Sequence, residues 1–149
     1  MDTLISILHV AGAVFIVGPM AILPMTAMRA VRAGNGAQVA VLAKSTTIFT
    51  WLSLLVFVLG FGAMSMAPDE FGLSMTTPWI LWSIILYVIA FALTLFLVVP
   101  SMKKAAEALG TGAADGGAGP KASYPAIAAG SGIASLLLVA VVVLMVWKP

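Results

Sequence analysis

The chain contains no cysteine, a single histidine, and charged side chains at only 8% of its 149 positions. Without cysteine there is no disulfide, no thiol relay and no thiolate metal site, which excludes a quinone-linked disulfide-forming enzyme. With so little charge, a chain of this length cannot cover a water-facing surface. A net charge of +2 is too small to argue for nucleic acid as a partner. None of the charged residues falls inside the long apolar runs. The membrane-embedded carboxylate on which small four-helix proton-coupled antiporters depend is therefore missing. No Ser-His-Asp set, paired carboxylate or HExxH motif is legible, so the pattern leans away from an enzyme. Asp69 and Glu70 are adjacent and read as a solvated loop tip.

What the chain has is hydrophobicity, at 62% of its residues. Uncharged apolar runs cover 3–28, 45–67, 79–99 and 124–147, each meeting the roughly 20 residues a helix needs to cross a hydrocarbon layer. Lipid offers the backbone no hydrogen bonds, so such segments must be helices. Alternating ten-residue strands are absent, which removes a barrel. The expected fold is all-α: one integral membrane domain over 1–149, an antiparallel four-transmembrane-helix bundle with a kinked first helix. The first run is not read as a cleaved signal peptide, because it starts at Asp2, is too long and lacks a small-residue cleavage site. No internal repeat is strong enough to claim.

Basic residues set the expected orientation. Arg29, Arg32 and Lys44 lie in the first loop, and Lys103, Lys104 and Lys121 in the third. The second loop has none, and only Lys148 accompanies it at the C-terminus. This places the first and third loops in the cytoplasm of a bacterial plasma membrane protein, with both termini outside. Trp79 and Trp147 then fall at the outer interface and Tyr124 at the inner one.

Punctuation within the runs is also readable. "AGNG" at 33–36 supplies a helix stop and a tight turn, and Thr77-Pro78 reads as an N-cap followed by proline at the first helical position. Past Pro100, "SMKKAAEALG" extends the third helix to Gly110, and a Gly-rich cytoplasmic linker completes the segment at about 103–123. Its glycines follow no strand, so they are no phosphate-binding loop. Pro19 and Pro24 each remove a backbone donor and free the carbonyls of Phe15 and Met20. The expectation is a bend at Gly18-Pro19, with Thr46, Thr47 or Thr50 serving the Met20 carbonyl.

Small and weakly polar residues mark helix-packing faces in lipid. Thr46, Thr50, Ser53, Phe57, Gly60 and Met64 form one stripe, and Ser83, Tyr87, Ala90 and Thr94 another. Ala128, Ser131, Gly132 and Ser135 mark the fourth helix, and Ser6, His9, Ala13 and Ile16 the first. Gly12, Gly60 and Gly62 are expected where the first two helices approach closely. His9 sits in the outer half of the first run, and its expected role is a register-fixing hydrogen bond to Ser83 or Tyr87. The alternative is a haem or copper ligand, with Met64 and Met66 as secondary metal candidates and Met75 nearby, because imidazole and thioether suit those metals. A lone histidine cannot supply bis-histidine haem ligation within one chain.

"LHVAGAVFIVGP", the basic "MRAVRAG" turn, "PWILWSIILYVIAFALTLFLVVP" and the overall length resemble an uncharacterised family of small bacterial predicted integral membrane proteins with four spans. The first-helix pattern more distantly resembles the copper-resistance-D-like proteins and the HemJ-type protoporphyrinogen oxidases. That likeness implies haem or copper at His9 and nothing further, since the additional intramembrane His, Lys or Arg residues of a haem-handling oxidase are lacking. The residues favour no cofactor and a non-enzymatic accessory or scaffolding subunit, in contact with lipid and with a second copy or a larger membrane complex. A haem- or copper-binding protein is the second reading, and a carrier or channel for a small neutral molecule the third.

Overall fold

A computed structural model describes residues 2–110 and 120–149. Of the Gly-rich linker expected through 123, residues 111–119 lie outside the described residues, and 120–123 are helical instead, forming the start of the fourth helix. The first span runs through α1 (Asp2–Gly12), a π-helical segment (Ala13–Val17) and α2 (Gly18–Arg32). The second is α3 (Gly36–Ser65) alone. The third joins α4 (Pro78–Leu93), a second π-helical segment (Thr94–Val98) and α5 (Val99–Gly110), and the fourth is α6 (Pro120–Trp147). All four are long and apolar enough to cross a membrane, and the described residues include no strand.

The turns follow from local chemistry. Gly34 takes a left-handed φ of 71°, which a residue without Cβ adopts at no steric cost. Asn35 then caps α3 by accepting the Gln38 amide at 3.1 Å. Thr77 precedes Pro78 at the expected position, but its hydroxyl accepts from the Ser74 amide at 3.0 Å and makes no cap bond to α4.

The distortion of the first span lies just before the expected Gly18-Pro19 bend. Across Ala13–Val17 the chain widens into a π turn, and Gly18 donates to the carbonyl of Ala13, five residues back. The wider turn gives the pyrrolidine ring of Pro19 room that an α-turn would deny it. Pro100 is handled identically: Thr94–Val98 is π-helical and Val99 donates to the Thr94 carbonyl. The two features lie 81 positions apart (13 and 94, 19 and 100). The same offset carries α3 onto α6. It also pairs buried Thr46 with Ile127, Thr50 with Ser131 and Ser53 with Ala134. Phe15 and Phe96, the equivalent lipid-level aromatics, are 74% and 75% exposed. The first and third spans thus share one local device at one register, each followed by a long helix with three buried positions in step. The sequence hides this because "AVFIVGP" and "TLFLVVP" share only a few side chains.

Two clusters form the interior. One gathers Ala27, Ala30, Val39, Ala43, Val98 and Met102, with Ala105 and Ile127, so every span contributes. The other joins Met20, Tyr87, Ala90, Ala134 and Leu138. Arg32 lies over the Tyr124 ring, 5.1 Å from its centroid, and donates to the Tyr124 hydroxyl.

Gly130 shows how tightly the helices meet. A Cβ there would lie 2.8 Å from Cγ2 of the fully buried Val98, a β-branched side chain with little rotamer freedom. Gly132 on the same helix faces open space. Gly130→Ala is expected to lower the denaturation midpoint in mixed micelles, corresponding to about 1–3 kcal/mol of overpacking. Gly132→Ala should be neutral or stabilising by up to about 1 kcal/mol, as a simple helix-propensity gain. Equal effects at the two positions would show that close packing of α6 on the third span does not govern stability.

Candidate functional site

His9 is the only imidazole in the chain, and α1 carries it half-buried against α3. Its Nδ1–H donates to the carbonyl oxygen of Val56 at 2.8 Å. A carbonyl can only accept, so this bond fixes the tautomer and leaves the Nε2 lone pair unprotonated in the neutral ring.

The sequence arranges the contact through missing side chains. A helical side chain leans toward the N-terminus and covers the turn before its own Cα. A side chain at position 60 would therefore cover the Val56 carbonyl. Gly60 has none, and a Cβ built there would lie 2.9 Å from His9 Cε1. The imidazole occupies the space that glycine leaves open. One turn further along the first span the relation reverses. A Cβ on Gly12 would meet Val56 Cγ2 at 2.8 Å, so Val56 seats in a notch on α1 while His9 seats in a notch on α3. Gly62 faces Ile5 at a looser 3.4 Å.

The expected partners of His9 are engaged elsewhere. Ser83 donates to the carbonyl of Trp79 in its own helix at 2.7 Å. The Tyr87 hydroxyl is 2.7 Å from Ser53 Oγ of α3, and its ring stacks on Phe57 with centroids 4.7 Å apart. The histidine is reached by α3 instead of α4 because α1 packs closely on α3 and not on α4. Nor do the threonines serve the Met20 carbonyl. Thr46, Thr47 and Thr50 donate to Leu42, Ala43 and Thr46 of their own helix at 2.8, 2.8 and 2.7 Å. Near Pro24 the outside donor is Ser135, which reaches the Ala21 carbonyl at 3.3 Å from α6. Ser6, expected on the packed face of the first helix, is exposed.

The sulfur candidates are less involved. Met64 lies one turn beyond Gly60 and is half-buried; Met66 caps the end of α3 and is exposed. Among the described residues no three His, Cys, Asp or Glu side chains gather where a metal ion could be held. Sequence reasoning missed the Val56 carbonyl altogether, since a backbone acceptor carries no residue signature. The available signal was the i, i+4 spacing of Val56 and Gly60 opposite a His-x-x-Gly step.

The chemistry this arrangement performs is helix clamping: a polar bond shielded by two reciprocal notches. His9→Ala is expected to cost about 0.5–2 kcal/mol of helix association, and Gly60→Ala about 1–3 kcal/mol by displacing the ring. In the double variant the second substitution should add little, because the clash and the lost bond involve the same imidazole. A denaturation cycle in micelles reads this directly, and strictly additive costs would mean that the two residues do not act together.

No curated protein and no solved structure matches the chain. A family profile matches residues 3–149, and the chain belongs to that family, the predicted integral membrane proteins designated DUF2269.

Proposed function

We propose that the protein is a non-enzymatic accessory or scaffolding subunit of the bacterial plasma membrane. In this reading the bundle is antiparallel, the lysine- and arginine-bearing loops are cytoplasmic and both termini are outside. It packs its first span against a second copy or a larger membrane complex. The observation that carries this reading is the open face of α1. The first span is the least buried of the four, and Thr3, Ile7, Val10 and Val14 form an exposed stripe with Ser6 beside them. A hydroxyl on an otherwise apolar, uncovered helix is the kind of group that bonds a neighbouring helix in lipid. Support also comes from the interior, where buried Thr46, Thr50, Ser53, Ser83, Thr94 and Ser131 are all bonded within the chain. Tyr87, Phe57 and Phe91 fill the middle of the bundle with ring contacts, an arrangement that argues against a polar path for a small neutral molecule.

Because the chain has no cysteine, single cysteines report cleanly. Ser6→Cys is expected to give an oxidatively cross-linked adduct in native membranes, whereas Val139→Cys on the exposed face of α6 is not. Monomer at both positions would overturn the scaffolding role. A membrane-impermeant maleimide should label Glu70→Cys and spare Lys104→Cys in intact cells; the reverse would invert the orientation.

One observation favours the second reading. A metal-ligating histidine ordinarily donates its other ring N–H to a carbonyl or carboxylate, as His9 does to Val56. His9 Nε2 would then be the ligand atom, for haem iron or for copper with Met64 or Met66. Purified protein is expected to show neither a Soret band nor stoichiometric copper. A band or metal content abolished by His9→Ala would replace the scaffolding reading with this one.

A further inference from the structure

A cleft of about 400 Å³ runs between α3 and α5. Ala43, Thr47 and Ile48 of α3 and Ala106 of α5 form its walls, and Lys44, Lys103 and Glu107 stand among them. Alanines at the contact leave the groove open where larger side chains would fill it. Thr47 presents a largely apolar surface, because its hydroxyl donates to the Ala43 carbonyl. Lys44 and Lys103 are exposed, and each stands just beyond the apolar part of its own span. The cleft is therefore greasy along its length and carries two cations against one carboxylate, and Glu107 has an interaction of its own.

We propose that this cleft is a binding site for an anionic phospholipid, with the phosphate between Lys44 and Lys103 and an acyl chain lying along Ala43, Thr47 and Ile48. Charge complementarity selects the headgroup, and the apolar walls select a lipid over a soluble anion. Basic pockets between membrane helices at headgroup level bind acidic lipids on this principle. The chain's direction gives the site a built-in reporter. Trp51 lies one turn beyond Thr47 on α3, is 54% exposed and packs edge-on against Phe91. It stands roughly 10 Å along the helix from Lys44, the depth of a mid-chain carbon. The site is independent of the scaffolding role and of which leaflet faces the cytoplasm.

The test uses the full chain with Trp79→Phe, Trp82→Phe and Trp147→Phe, leaving Trp51 as the sole tryptophan, in phosphatidylcholine vesicles at low salt. Phosphatidylglycerol brominated at mid-chain is expected to quench Trp51 more than equally brominated phosphatidylcholine at the same mole fraction. Lys44→Gln and Lys103→Gln should each lower the relative association roughly fivefold. Glu107→Gln should raise it, and Lys104→Gln, which does not line the cleft, should leave it within about twofold. Native mass spectrometry of the unsubstituted chain released from an equimolar mixture of the two lipids gives the same comparison without tryptophan changes. Equal quenching by both lipids, or a Lys104→Gln effect as large as that of Lys44→Gln, would overturn the site in favour of general surface charge.

Discussion

Within a hydrocarbon layer, a backbone carbonyl or amide without a partner costs several kcal/mol, and this requirement shapes each irregular feature of the bundle. Two prolines are accommodated by π turns that bring the preceding amide five residues back, to Ala13 and Thr94. Pro24 is buried within α2, and Ser135 supplies a hydroxyl from another helix to the neighbouring Ala21 carbonyl. Thr46, Thr47, Thr50 and Ser53 of α3 turn their hydroxyls back on their own helix at 2.6–2.8 Å. No buried side-chain polar atom is left without a partner among the described residues. The polar stripes that look from sequence like interhelical glue are mostly internal repairs of this kind.

Interhelical polar bonds are consequently few among the described residues, and two of them have a clear steric reason for existing. His9 reaches a carbonyl of α3 only because Gly60 leaves it uncovered. Ser53 meets Tyr87 across a longer gap because the phenol ring spans what two backbones do not. Where Gly130 receives Val98, close approach is a matter of shape. In lipid, shape carries more of the association energy than it does in water, since apolar side chains are as comfortable against acyl chains as against each other.

These distinctions mark how far the sequence could be read. Four helices, the Gly34 turn, the position of Pro78 and the continuation to Gly110 all follow from run length and local chemistry, which act within a few residues. The partner of His9 did not follow. Depth along the helix placed Ser83 and Tyr87 level with it, but only rotation and neighbour order decide which helix an imidazole faces, and neither is written locally. Glycine spacing carried part of that information: Gly12 and Gly60 lie at the contact between the first two helices. The repeat stayed hidden for a related reason. It lies in where the backbone bends and in a few of the buried positions, properties that many apolar residues satisfy equally well.

The repeat bears on why a histidine occupies position 9 at all. Its counterpart in the second helix pair is Ala90, fully buried, and the counterpart of Gly60 is Val141, in the same interior cluster. One pair sets a large residue against a glycine and the other a small residue near a larger one, so both satisfy close packing with the volumes exchanged. Shape alone can therefore be met at this register without any polar group. What the Ala90 half lacks is a hydrogen bond to the opposing backbone, and the first span is the one that most needs it. It is the least buried of the four, and its N-terminal half, α1, packs closely only on α3. A helix with so little covered surface gains proportionally most from one shielded polar bond. The imidazole is thus explained by the exposure of the helix that carries it, and the same exposure leaves the opposite face of that helix open to another surface.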